Sequence, residues 1–226
     1  MIDRAEIKLR AKAALKPAYW KAVLVALILA FCTFSVSGNP ADAETQAEIS
    51  NVINSTDTAV LLAIAGIFIS ILAVSFFIRL FFTNILSIGC YDFFLKVADG
   101  GESPAVGTIF SGFKQSYFNK VLVMFVHSLI IGIGMLLFVI PGIIFSYMYR
   151  MVPYILAEDP TTSVGEALSR SSAMMKGHKM EAFIFDLSFI GWYLLAGITC
   201  GLVGLFYSNP YKFIADAELY RTIKNG

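Results

Sequence analysis

Apolar residues run along this chain in long blocks separated by short polar stretches. From Ala18 to Val36 the chain is nearly all apolar and opens on Tyr19, Trp20 and Lys21 as interfacial anchors, so this block predicts a first membrane span. Residues 3–16 intersperse Ile7, Leu9, Ala14 and Leu15 with Arg4, Lys8, Arg10, Lys12 and Lys16. That pattern predicts a basic amphipathic helix lying on an anionic membrane surface, with Pro17 as the corner before the span. A secretory signal peptide is the competing reading of this start, and the long, itself helical basic region argues against it. Residues 37–58 hold four acids and no Lys or Arg, as a loop on the far side should.

The block from Ala59 to Ala98 is broken only by Arg79, Asn84, Asp92 and Lys96, and as one helix it would measure ~60 Å, too long for a single straight crossing. Hydropathy favours Ala59–Ile78 as its span, whereas the repeat described next favours Val74–Leu95, and both stay open. Val121–Ile140 is a clean span, Pro141 and Gly142 predict the turn, and Gly142–Ala157 returns.

Two polar segments resemble each other: SPAVGTIFSGFK at 103–114 and TTSVGEALSRSS at 161–172. Each follows an acidic Gly or Pro turn and precedes basic residues and an apolar span, which suggests one unit used three times: amphipathic helix, ascending span, descending span. The last third then folds as a hairpin over Met180–Arg221 with its turn at Gly197–Gly201. Its returning sequence carries Pro210-Tyr211 where the second unit carries Pro153-Tyr154, and both prolines predict kinks. The alternative takes Phe183–Tyr207 as one span with an external tail, giving five crossings. In the six-span arrangement the six basic residues up to Lys21, then Lys96, Lys114, Lys120, Arg170, Lys176, Lys179, Arg221 and Lys224, fall on one side, as the positive-inside rule requires.

Composition agrees: 58% hydrophobic and 15% charged residues with a mean hydropathy of +0.74 exclude an ordinary soluble domain. The net charge of +1 gives no reason to expect nucleic acid. Cys32, Cys90 and Cys200 sit in apolar surroundings without paired spacing and read as small buried hydrophobes.

An ionisable residue at membrane depth is costly and is therefore paired, wet or functional. Arg150 and Asp186 lie at matching depths on neighbouring antiparallel helices, to within ~3 Å at helical rise. Either they pair, or Arg150 reaches the headgroups while Asp186 bonds a nearby Ser or Tyr. His127 reads as a hydrogen-bonded bundle residue ahead of a proton relay, Lys212 and Asp216 as a local pair four residues apart, and Arg79 as a further intramembrane charge. Gly132, Gly134, Gly197, Gly201 and Gly204 are positions for close helix contact. No nucleotide-binding, metal-binding or nucleophile motif is present, and Ser169, Ser171 and Ser172 lack a base other than His178. The chain is expected to need no cofactor and to be no enzyme.

The stretches IPGIIFSYMYRMVPYILAEDP, ALSRSSAMMKGHK, LSFIGWYLL and NPYKFIADAELY, in this order, resemble the uncharacterised bacterial integral-membrane family named domain of unknown function 975. Residues 3–16 and LFFTNILSIGCYDFFLKVADG fit the family more loosely, and Arg150 departs from its pattern. A more distant likeness is to the membrane part of some glycerophosphodiester phosphodiesterases, whose catalytic domain has no counterpart here. The resemblance implies a multi-pass protein of a bacterial, Gram-positive plasma membrane, and it supplies no catalytic residues. The expectation is an all-α polytopic bundle: one integral membrane domain, six helices in three hairpins (units about 1–99, 100–159 and 160–226), both termini cytoplasmic. Its expected role is a scaffold, envelope-stress or peptide-immunity factor. The alternative is a transporter or lipid-handling protein with a polar cavity lined by Arg150, Asp186 and His127. The expected partners are the lipid bilayer and another membrane protein or a second copy of the chain.

Overall fold

Helix α1 (Arg4–Thr33) runs unbroken through Pro17, so the predicted corner does not form. The computed structural model describes residues 3–33, 58–100, 104–199 and 201–225, and every regular element among these is a helix. Along α1, Ile7, Ala11, Leu15, Ala18, Ala22, Ala26 and Leu29 recur every three or four residues and are all at most 4% exposed. This stripe faces the helices Asn84–Ala98 and Asn209–Lys224, not a membrane surface, and Leu9, expected on the apolar face, points away from it. Pro17 removes one backbone hydrogen bond, and the stripe that continues on both sides of it holds the helix together. Alanine in the stripe permits close approach of the helices and dispersion contacts between them.

The second long block is one helical rod made of α2 (Thr58–Ile78), a π-helical turn (Arg79–Thr83) and α3 (Asn84–Ala98). Its two ends differ in environment. Leu62, Phe68 and Phe77 on α2 are exposed, whereas Ile85, Phe93 and Phe94 on α3 are fully buried. The sequence left its membrane window open for this reason: hydropathy picks the exposed end, and the packed end is the one that joins the core. Helix α3 packs against α1, the helices Val152–Glu158 and Asn209–Lys224, and a 3₁₀ helix over Val106–Phe113. The 3₁₀ helix can lie so close because Gly89 and Gly112 have no side chain; a Cβ on Gly89 would meet the Ile109 carbonyl, and one on Gly112 the Ile85 carbonyl.

Helix α4 (Tyr117–Leu137) and α5 (Val139–Met148) form a hairpin whose reversal is at Phe138, with φ −154° and ψ 136°. The predicted turn at Pro141 and Gly142 is displaced: both lie in the first turn of α5, where a missing proline N–H costs nothing. Gly142 instead serves the crossing, since a Cβ there would stand 2.7 Å from the Met135 Cα, and a Cβ on Gly134 would stand 3.2 Å from the Gly142 Cα. Gly132 has nothing within 4 Å.

After α5 the chain breaks at Tyr149–Met151 and resumes as α6 (Val152–Glu158). Helix α7 (Val164–Met174) begins at Ser163, whose hydroxyl accepts from the Glu166 N–H at 3.4 Å. The two similar polar segments therefore fold differently, one as a 3₁₀ helix and one as an α-helix. The close approach at Gly112 has no equivalent at the matching position, which is Arg170. Helices α8 (Lys179–Leu187) and α9 (Ile190–Ile198) follow, and Gly201, at φ +85°, supplies the left-handed residue of the next turn. A π-helical turn (Gly204–Ser208) packs back on α9 and leads into α10 (Asn209–Lys224).

Four stretches among the described residues are long and apolar enough to cross a membrane: Leu62–Ala98, Tyr117–Leu137, Val139–Glu158 and Lys179–Ile198. Of the six predicted spans, the first continues past Thr33 and so leaves the described residues, as does the loop predicted at 37–58 up to residue 57. The last includes α10, which carries Lys212, Asp216, Glu218, Arg221 and Lys224.

Candidate functional site: a four-charge cluster between helices

Pro153 has no N–H to give the Tyr149 carbonyl, and the helix breaks just before it. Three side-chain bonds close the gap. His127 Nε2, 3.1 Å from the Tyr149 oxygen, donates to it, which places the ring proton on Nε2. Ser171, fully buried on α7, donates to the Met148 carbonyl at 3.0 Å and accepts from the Met151 N–H at 3.2 Å. The same solution recurs at Pro210, whose missing N–H leaves the Phe206 carbonyl to the Tyr19 hydroxyl at 2.9 Å. In both places a proline frees a carbonyl and a polar side chain of another helix takes it.

The first break sets Arg150 between α5 and α6, facing α8 and α10. Its Nη1 donates to Asp186 Oδ2 at 2.7 Å, and its Nη2 to Asp186 Oδ1 at 2.9 Å and to Asp216 Oδ1 at 2.8 Å. Lys212 lies 3.0 Å from Asp186 Oδ1 and also pairs with Asp216 Oδ1. The Tyr147 hydroxyl completes the shell by donating to Asp186 Oδ2 at 2.9 Å. Each Asp186 oxygen thus accepts two donors, and two cations balance two anions.

Aromatic faces support the cations. Lys212 Nζ is 5.2 Å from the Phe185 ring centroid and 5.3 Å from that of Phe189. Lys8 of α1 sits 4.5 Å from the Phe189 centroid and donates to the Ser188 carbonyl at 3.1 Å, where α8 gives way to α9. Burial, together with the charges of Arg4 and Lys212, pushes its ammonium below the usual lysine range. Side-chain exposure within the cluster runs from 9% at Lys212 to 29% at Asp186.

The arrangement is a tie between helices, because no base or acid in it is left without a partner. Of the residues singled out from the sequence, Arg150 and Asp186 meet directly and His127 is one hydrogen bond away from the Arg150 break. Arg79 lies in the π-helical turn between α2 and α3, exposed and outside the cluster's contacts. Pro153 and Pro210 stand at the second residue of α6 and α10, while Pro141 and Gly142 shape the hairpin tip. Sequence reasoning paired Lys212 and Asp216 only with each other, passed over Tyr147 and weighed Ser171 only as a nucleophile. One signal for Lys212 was available: it is the charge two residues after Pro210, where the second unit has Ile155 two residues after Pro153. Among the described residues no three His, Cys, Asp or Glu side chains converge as metal ligands.

No curated protein and no solved structure matches the chain. A family model described as a protein of unknown function matches residues 123–226. Those residues, which hold all four cluster charges, His127, Pro153 and Pro210, are similar to the family of unknown function DUF975.

Proposed function

We propose that this is a six-span protein of a bacterial plasma membrane with both termini cytoplasmic, acting as a non-enzymatic scaffold in envelope stress or peptide immunity. The observation that carries this reading is the closed charge cluster. Arg150, Asp186, Lys212 and Asp216 satisfy one another, so none is left to bind a translocated solute or to move a proton in a reaction. Their energy goes into fixing α5, α8 and α10 relative to one another. The apolar exteriors of α2 and of the α4–α5 hairpin then face lipid and partner proteins.

Two measurements test it. Single cysteines introduced at Asp3 and Asn225 of a cysteine-free variant should resist a membrane-impermeant thiol reagent applied to intact cells, and labelling of Asn225→Cys alone would leave five spans. A deletion strain should change in sensitivity to membrane-active peptides. Unchanged sensitivity combined with solute flux in proteoliposomes would favour transport.

A further inference from the structure

The basic end of the bundle contains a cavity of about 490 Å³ between α3, the 3₁₀ helix, the start of α4 and the end of α6. Its wall holds both kinds of charge, but the carboxylates are already engaged. Asp92 accepts from Lys96 and from the Ser111 hydroxyl, each at 2.8 Å, and Asp99 pairs with Arg221. Glu158 accepts from Lys224 at 2.6 Å and from the Tyr220 hydroxyl at 2.7 Å. Two lining lysines are left over. Lys120 is 1% exposed and bonds only to carbonyl oxygens, Gly112 at 2.9 Å and Ser111 at 3.4 Å, so its buried charge has no carboxylate within ion-pair distance. Lys114 lines the same cavity, is exposed, and makes no ion pair with the described carboxylates.

We infer that this cavity is an anion site that takes the phosphate of an anionic phospholipid headgroup, held by Lys120 and Lys114. A buried ammonium bonded only to carbonyl oxygens, with the charge of Asp92 acting on it from beyond ion-pair distance and already held by Lys96 and Ser111, is stabilised further by a true counter-ion. The site also has the right depth. Lys114 and Lys120 flank Tyr117, where the apolar helix α4 begins, so the cavity opens at the level of the headgroups, where basic pockets between membrane helices hold anionic lipids. A free phosphate has the same chemistry without the acyl chains, and it is separated from the lipid by experiment.

The test uses the full chain in detergent, titrated with phosphatidylglycerol, phosphatidylcholine or inorganic phosphate, with bound lipid read by native mass spectrometry and thermal stability followed in parallel. Phosphatidylglycerol should bind and raise the melting temperature, whereas phosphatidylcholine should not. Lys114→Gln, which removes no internal bond, should weaken phosphatidylglycerol binding about tenfold. Lys120→Arg should retain it, and Lys176→Gln, a lysine away from the cavity, should leave it unchanged. Equal stabilisation by both lipids overturns the proposal, as does an equal loss in Lys114→Gln and Lys176→Gln, which would mark diffuse surface charge. Stabilisation by inorganic phosphate alone, lost in Lys114→Gln, would keep the anion site and overturn the lipid as its occupant.

Discussion

Arg150 and Asp186 meet fork to fork, with both guanidinium nitrogens on both carboxylate oxygens at 2.7 and 2.9 Å, across helices 36 residues apart in sequence. Such a pair is strongly coupled to its surroundings, because removing one partner strands the other's charge. Asp186→Asn leaves Arg150 and Lys212 facing Asp216 alone and should cost about 3 kcal/mol of unfolding free energy. Arg150→Met with Asp186→Asn restores neutrality, since Lys212 and Asp216 remain matched, and the double variant should lose less than the sum of the singles. Unfolding measured in bicelles decides the matter: additive losses would show that the pair does no mutual stabilisation.

The bond between His127 and the Tyr149 carbonyl exists because Pro153 cannot make it. His127→Phe removes one of the two donors to this part-buried carbonyl, leaving the Val152 N–H at 3.2 Å, and should destabilise by about 0.5–1.5 kcal/mol. In a Pro153→Ala background the alanine N–H can take that carbonyl and close the helix, so the cost of His127→Phe should shrink there. A cost that stays the same in both backgrounds would mean that His127 contributes through packing alone.

The helical class, the helices long and apolar enough to cross a membrane and the helix break near Pro153 were legible because each follows from local sequence: long apolar blocks, sparse charge, an imide without an N–H. The Arg150–Asp186 contact was legible as one of two alternatives because depth along a helix can be counted. What sequence missed depended on packing between distant segments. Residues 3–16 look like a surface helix in isolation, and only α3 and α10 show that Ile7, Ala11 and Leu15 have protein to bury against. Lys212 and Asp216 looked self-sufficient at i, i+4 spacing, although each has a second partner on another element. Pro141-Gly142 looked like a turn, yet the reversal fell at Phe138 because a proline in the first helical turn meets no penalty.

Gly89 and Gly112 are the points at which α3 and the 3₁₀ helix touch backbone to backbone. A methyl group at either position runs into a carbonyl that cannot rotate aside. Gly89→Ala and Gly112→Ala should each destabilise by about 3 kcal/mol and, by displacing the carbonyls that hold Lys120, increase the exposure of that lysine. Gly165→Ala is the control: nothing lies within 4 Å, and in the exposed face of α7 it should stabilise by about 0.5–1 kcal/mol. Equal effects at the three positions in thermal unfolding would remove the close contact as the explanation.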